Sequence, residues 1–287
     1  MQIATLHWYQ ASQAEGVFHI ATGLNGVAFD GSNIWIANTS KGNVVKLRPG
    51  DGATLGTFPA GGGPFGVVCD GVNVWVTDST ANSVTEIGAA SGAFVSSYKT
   101  GLGPQGIAFD GSTIWVANNG GNSLTRVQVS TGAMLGTITV GTNPVGLAFD
   151  GANIWVANSG SGNVTEVRAS DGTVLGTFNV GSGPSGVAFD GANIWVTNSL
   201  GSSVTELRVS DGSAIGSFPA GPGPTGIAFD GANLWVTNSS GNTVTEIRAS
   251  DGSTLGTFTV GNNPMGVAFD GAFIWVTNQT DGTASKL

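Results

Sequence analysis

Seven aspartates recur at intervals of 40 residues along this chain: Asp30, Asp70, Asp110, Asp150, Asp190, Asp230 and Asp270, each followed by glycine. Four more, Asp51, Asp171, Asp211 and Asp251, occupy a second Asp-Gly step. Together they make up 11 of the 18 acidic residues, and oxygen-rich clusters of this kind can hold Ca²⁺. Asp before Gly is also the preferred pair of a tight hairpin, because Gly tolerates positive φ and Asp bonds to its own turn. The eleven are spread over seven repeats, so a turn role is expected and no metal site is assigned.

Other side chains capable of chemistry are sparse. The only histidines are His7 and His19, near the start of the chain. Cys69 is the single cysteine, so no internal disulfide can form, and it stands where Phe29, Phe109, Phe149, Phe189, Phe229 and Phe269 stand in the other repeats. It reads as a small apolar substitute rather than a nucleophile. No metalloprotease, paired-cysteine, nucleophile-elbow or phosphate-loop motif is present. Glu86, Glu166, Glu206 and Glu246 recur beside Arg168, Arg208 and Arg248, and cross-strand pairing between the two sets is expected. N-x-S/T triplets at Asn38, Asn163, Asn238 and Asn278 carry little weight in so Asn-, Ser- and Thr-rich a chain.

Two further series mark one end of the repeat. Asn38, Asn118, Asn158, Asn198, Asn238 and Asn278 are interrupted by Asp78, and each is expected to cap the loop that follows it. The residue between Pro and Gly in a GPxG loop changes from copy to copy: Phe65, Gln105, Val145, Ser185, Thr225 and Met265, with Asn25 in the first, degenerate copy. What stays fixed serves packing common to every copy, and what varies is free for recognition. The seven varying residues, with Asp78, are therefore the candidate ligand-binding set. The loops after the Asn series, such as 39–42 and 199–202, vary on the same face.

The elements that must position these residues follow from the period. Residues 181–220 and 221–260 are identical at 26 of 40 positions, and Trp35, Trp75, Trp115, Trp155, Trp195, Trp235 and Trp275 keep the same interval. A fixed period of this length signals a repeat architecture. Each unit contains four short runs rich in Val, Ile, Phe, Thr and Trp; in one unit they are 186–189, 193–198, 203–209 and 214–220. The first two runs are almost wholly apolar and the third alternates, which predicts inner strands buried on both faces and outer strands near solvent. Such meanders are blades packed around an axis. The fold class expected is all-β, a seven-bladed β-propeller with four antiparallel strands per blade and a tryptophan between each pair of blades. The seventh unit stops after its third strand, and "GVFHIA" (16–21) aligns with a fourth, so the N-terminal strand completes the last blade. Residues 3–8 also fit a third strand and compete with 283–287 for that place. The division is residues 1–15 as an extension and 16–287 as one propeller domain.

Composition excludes several functions. Nine Lys and Arg against 18 Asp and Glu give a net charge of −9, which lacks the basic footprint of nucleic-acid or anionic-membrane binding. No apolar run reaches the ~18 residues of a spanning helix. The first residues show no signal-peptide pattern, and the final "SKL" is read as a chance match to a peroxisomal address. The compartment stays open, with secretion or a bacterial cell surface favoured by the acidic, Lys-poor composition.

The run "IWVTN" and the turn "FDG" resemble the YVTN and NHL families of β-propellers and the related virginiamycin B lyase-like propellers, over about residues 16–287. The resemblance implies the propeller fold. For the lyase branch it also implies a metal with His and Glu near the central channel, yet no complete repeat of this chain contains a histidine. The expected role is a non-catalytic, monomeric binding module or scaffold that presents a variable face to a protein, a glycan or a small polar ligand, without a cofactor. The alternatives are a metal-dependent lyase using Asp78, and a recently amplified or engineered repeat with no ligand of its own.

Overall fold

The computed structural model describes residues 16–287; the extension 1–15, with His7 and the competing segment 3–8, lies outside them. Among the described residues, 28 strands form seven four-stranded antiparallel sheets. The fifth blade has an inner strand Pro184–Phe189, a second strand Asn193–Asn198, a third Ser203–Arg208 and an outer strand Ala214–Pro219. The Asp-Gly pairs make the reversals: Asp190 Oδ1 accepts the N–H groups of Ala192 and Asn193 at 2.8 and 2.7 Å, while Gly191 takes φ 98°.

Each blade buries two faces against two neighbours. Ile194, Val196 and Leu207 face the fourth blade and pack on Trp155 and Val164. Trp195 and Val204, on the opposite face, pack on Leu234, Val236 and Ile247 of the sixth. The indoles therefore sit between blades, as the period requires. Outer-strand rings cover them: Phe178 lies 5.6 Å from Trp155 and Phe218 lies 5.3 Å from Trp195. The edge of each such ring also meets a turn glycine of the following blade, Gly212 for Phe178 and Gly252 for Phe218.

The third blade departs from this pattern. Ile138 stands where the others carry Phe or Tyr, and the Arg126 guanidinium takes the ring's place, 5.5 Å over Trp115. Ile138 and Arg126 together fill the space beside Gly172. A planar guanidinium stacks on an indole much as a phenyl ring does.

Two expectations need correction. The third strand is not near solvent, since Glu86, Glu166 and Glu206 are buried and each stands directly across from a tryptophan; the outer strand is the exposed one. The glutamates also form no ion pairs with the arginines. Arg168, Arg208 and Arg248 end their strands at the rim and form ion pairs with Asp171, Asp211 and Asp251 at 3.0, 3.6 and 3.1 Å. The carboxylates of Glu86, Glu166, Glu206 and Glu246 instead accept Asn73, Asn153, Asn193 and Asn233 Nδ2 at 2.7, 2.7, 2.7 and 2.8 Å.

The ring closes as three strands plus one. Gly16–His19 pairs antiparallel with Thr283–Lys286, from Gly16 opposite Lys286 to His19 opposite Thr283. Phe18 stacks on Trp275 at 5.4 Å, repeating the outer-strand ring of the other blades. At the axis the inner strand Leu24–Phe29 lies against Pro264–Phe269, so the first and last blades meet as any other pair does. Phe18→Ala is expected to destabilise the fold by about 3 kcal/mol, and removal of residues 1–22 by more, measured by urea denaturation. An unchanged midpoint after the truncation would show that the ring holds without its closing strand.

Candidate functional site

The GPxG segment is not a loop but the start of the inner strand, and it carries a β-bulge. In the third blade Pro104 pairs with Asn118 and Ile107 with Val116, so Gln105 and Gly106 share one opposing position. The same shift occurs in the other six blades. A bulge bends its strand and re-aims a side chain, and here it turns the variable residue toward the axis. The glycine after it has no room for a side chain. A Cβ on Gly66, Gly186 or Gly226 would strike the carbonyl oxygen of Gln105, Thr225 or Met265 in the next blade, and on Gly266 that of Asn25, which completes the circle.

Threonine at the next-to-last position of the second strand fastens this joint. Thr77 Oγ1 accepts Gly66 N–H at 2.8 Å and donates to Gln105 O at 2.7 Å. Thr197 and Thr237 bond in the same way to Thr225 O and Met265 O, each at 2.8 Å, and Thr277 to Asn25 O. Ala37, Ala117 and Ala157 occupy the position elsewhere. The sequence signal for these positioning residues was the Thr/Ala alternation inside "IWV(T/A)N", which propensity alone does not interpret.

The structure brings seven of the eight candidate residues together. Asn25, Phe65, Gln105, Val145, Ser185, Thr225 and Met265, with their glycines, line one axial cavity of about 310 Å³. Asn25 is tied down: Nδ2 donates to Thr39 Oγ1 and Oδ1 accepts Gln279 Nε2 at 2.8 Å. Thr225 Oγ1 lies 3.0 Å from Thr237 Oγ1 and 3.3 Å from Pro264 O. The side chains of Gln105 and Ser185 make no hydrogen bond among the described residues. None of the lining residues is ionisable.

Asp78 is not part of this cavity. Its carboxylate is buried and accepts the N–H groups of Gly62, Gly63, Thr80 and Ala81 at 2.8 to 3.1 Å, along with the Thr80 hydroxyl at 2.8 Å. Burial raises its pKa, but these donors outweigh burial and hold it below the usual carboxylate range. The capping role holds at Asp78 and at Asn38, whose Oδ1 accepts Lys41 N–H at 3.2 Å. The other asparagines are buried ties rather than loop caps. Asn158, Asn198 and Asn238 each donate to a third-strand threonine, Thr165, Thr205 or Thr245, at 2.9 Å.

The aspartate ring has a second duty beyond its turns. In all seven blades the other carboxylate oxygen accepts the indole N–H of the tryptophan five residues on, at 2.6 to 2.8 Å. Burial would raise the Asp30 carboxyl, but bonds from Trp35, Asn33 and Ser32 hold it below the ordinary range. Glu206 shifts the other way: burial, and then the nearby Asp190, push it up. Cys69 packs with Trp35, Val74 and Val76 in the phenylalanine's place, and burial pushes its thiol up to about 12.

A metal with His and Glu at the channel, as in the lyase branch, does not fit this lining. The cavity contributes amide, hydroxyl, thioether and hydrocarbon groups only, and among the described residues no three His, Cys, Asp or Glu cluster to hold an ion. Solved structures match the fold over nearly the whole chain. A streptogramin B lyase superposes with TM-score 0.81 at 16% identity, covering 94% of this chain and 96% of its own. Virginiamycin B lyase from Staphylococcus aureus gives 0.80 at 20%, covering 94% and 97%. Kuenenia stuttgartiensis hydrazine synthase gives 0.82 at 19%, covering 93% and 95%. At these identities the likeness is one of fold. No protein-family model and no curated protein matches the chain.

Two outcomes follow from the carboxylates. Asp190→Asn replaces one acceptor oxygen with an N–H₂ group facing either the turn amides or the indole, and should destabilise by about 1–3 kcal/mol in urea denaturation. For Glu206 the raised native pKa means that stability is fully present below the unfolded-state value and is lost as pH rises through the native one. Glu206→Gln removes that loss while its Oε1 can still accept Asn193. Its melting temperature should exceed that of the parent at neutral pH and converge with it near about pH 4.

Proposed function

We propose that this protein is a non-catalytic binding module that holds its ligand in the axial cavity. The observation that carries this reading is the convergence of the seven variable residues on one cavity, while the glycines beside them do not vary. A ring needed only for packing would use the same side chain in each copy, as the tryptophans and aspartates do. The volume, about 310 Å³, falls at the small end of ligand sites, which span about 300–1,000 Å³. It suits a small molecule, or the tip of a glycan or protein loop.

An enzyme reading finds less support. The two lyases share the fold at 16% and 20% identity, but acid–base or metal-assisted chemistry needs a titratable or metal-ligating group at the reacting centre. The lining supplies none. The proposed module acts as a monomer and, at net charge −9, without nucleic-acid or membrane partners.

Val145→Trp, which fills the cavity from one side, separates the possibilities. In a thermal-shift panel of neutral, anionic and cationic small molecules and short oligosaccharides, at least one member should raise the melting temperature of the parent. Saturation at about 100 times Kd contributes about 2.7 kcal/mol. The Val145→Trp protein should keep the parent melting temperature and lose the shift. A panel in which nothing shifts the parent would leave a scaffold without a ligand.

A further inference from the structure

The blades follow one another around the axis in chain order, so the lining residues have fixed neighbours. Phe65 of the second blade and Met265 of the seventh flank Asn25, whose amide is already engaged by Thr39 and Gln279. That arc therefore presents an aromatic ring and a thioether with no spare hydrogen bond between them. Across the axis, Gln105 of the third blade and Ser185 of the fifth flank Val145. Their side chains are the two polar groups of the ring that carry no hydrogen bond among the described residues. The cavity is thus apolar on one side and equipped with a free carboxamide and a free hydroxyl on the other.

We infer that the cavity takes a small uncharged molecule with an aryl or alkyl end and a carboxamide or hydroxyl end. The inference rests on the binding-module reading above and gives it a ligand class. Charge is excluded because a buried ion loses its hydration unless a counter-charge or a full set of hydrogen bonds replaces it, and the lining offers no counter-charge. A wholly apolar ligand would fill the Phe65–Met265 arc but would strip water from Gln105 and Ser185 without replacing it. A ligand amide meets both needs of Gln105, which can donate through Nε2 and accept through Oε1, while Ser185 reaches the same polar end from two blades away. Met265 adapts to the shape of the apolar end, as a flexible thioether does.

Acetanilide, toluene, acetamide, benzoate and benzylammonium form a probe set that resolves this, titrated calorimetrically into the full chain. Acetanilide should bind most tightly, with toluene and acetamide weaker and the two ions silent. Gln105→Ala should weaken acetanilide about tenfold and leave toluene unchanged, with a similar but smaller loss for Ser185→Ala. Phe65→Ala should weaken both acetanilide and toluene. The lining position carries seven different side chains in seven blades, so these variants retain the fold. If benzoate, benzylammonium or an oligosaccharide binds in place of acetanilide, and Val145→Trp abolishes it, the ligand class is wrong and the binding module stands. If acetanilide binds but Gln105→Ala and Ser185→Ala leave its affinity unchanged, the polar arc is wrongly assigned. If no probe and no panel member binds, both readings fall.

Discussion

Around the axis each blade approaches the next so closely that backbone meets backbone: a glycine of one inner strand lies where any Cβ would collide with the carbonyl oxygen of the following strand's bulge. This contact is made seven times and returns to its starting point between Gly266 and Asn25. It sets the width of the channel, because inner strands separated by side chains would enclose a wider ring. It also accounts for the bulge. The residue before the glycine must lend its carbonyl to the preceding blade, and the extra residue in the strand leaves its side chain free to point inward. Cavity, bulge and glycine are one device, and the threonines at positions 77, 197, 237 and 277 bolt four of the seven joints.

Much of this was legible in one sequence. The period gave the blade count, the alignment of 16–21 with an outer strand gave the closure, and the variation at the GPxG position picked out the seven residues that line the cavity. The bulge was not legible, because Gly and Pro signal a turn as readily as an irregular strand, and only the pairing of Pro104 with Asn118 and Ile107 with Val116 distinguishes them. The burial of Glu86, Glu166 and Glu206 was hidden for a related reason. Alternation in a strand shows which residues share a face, but not whether that face meets water or a neighbouring blade. The break in the Asn series at Asp78 could not be interpreted from sequence, whereas in the structure that residue lies outside the axial cavity and four backbone amides and a hydroxyl donate to its carboxylate.

The repeat also varies in coupled sets that a column-by-column reading misses. Where the third strand carries glutamate opposite the tryptophan, the second strand opens with an asparagine that donates to it. Where it carries Arg126, Thr113 replaces that asparagine and Ile138 replaces the outer ring, so that the guanidinium can lie on Trp115. In the last blade, Lys286 sits 3.7 Å over Phe273, which replaces the asparagine again, and its ammonium donates to Pro49 O of the first blade at 3.1 Å. Each set keeps the space over the indole filled and its charge partnered by different means. In the interblade layer the tryptophan and its aspartate are the same in every blade and only the groups around the indole change, whereas the axial layer keeps its backbone and varies what it displays.

The closing strand has a consequence for how the protein is made. Gly16–His19 is synthesised before the other strands of the propeller, and its partner Thr283–Lys286 after the 26 strands between them. At about 5–20 residues per second, synthesis of the chain between them takes roughly fifteen to fifty seconds. For that interval Phe18 has no indole to cover, and each completed blade exposes the face that the next will occupy. The ring cannot close until the strand laid down first meets the one laid down last. Until then one short segment stays unpaired, and the newest blade presents an uncovered face.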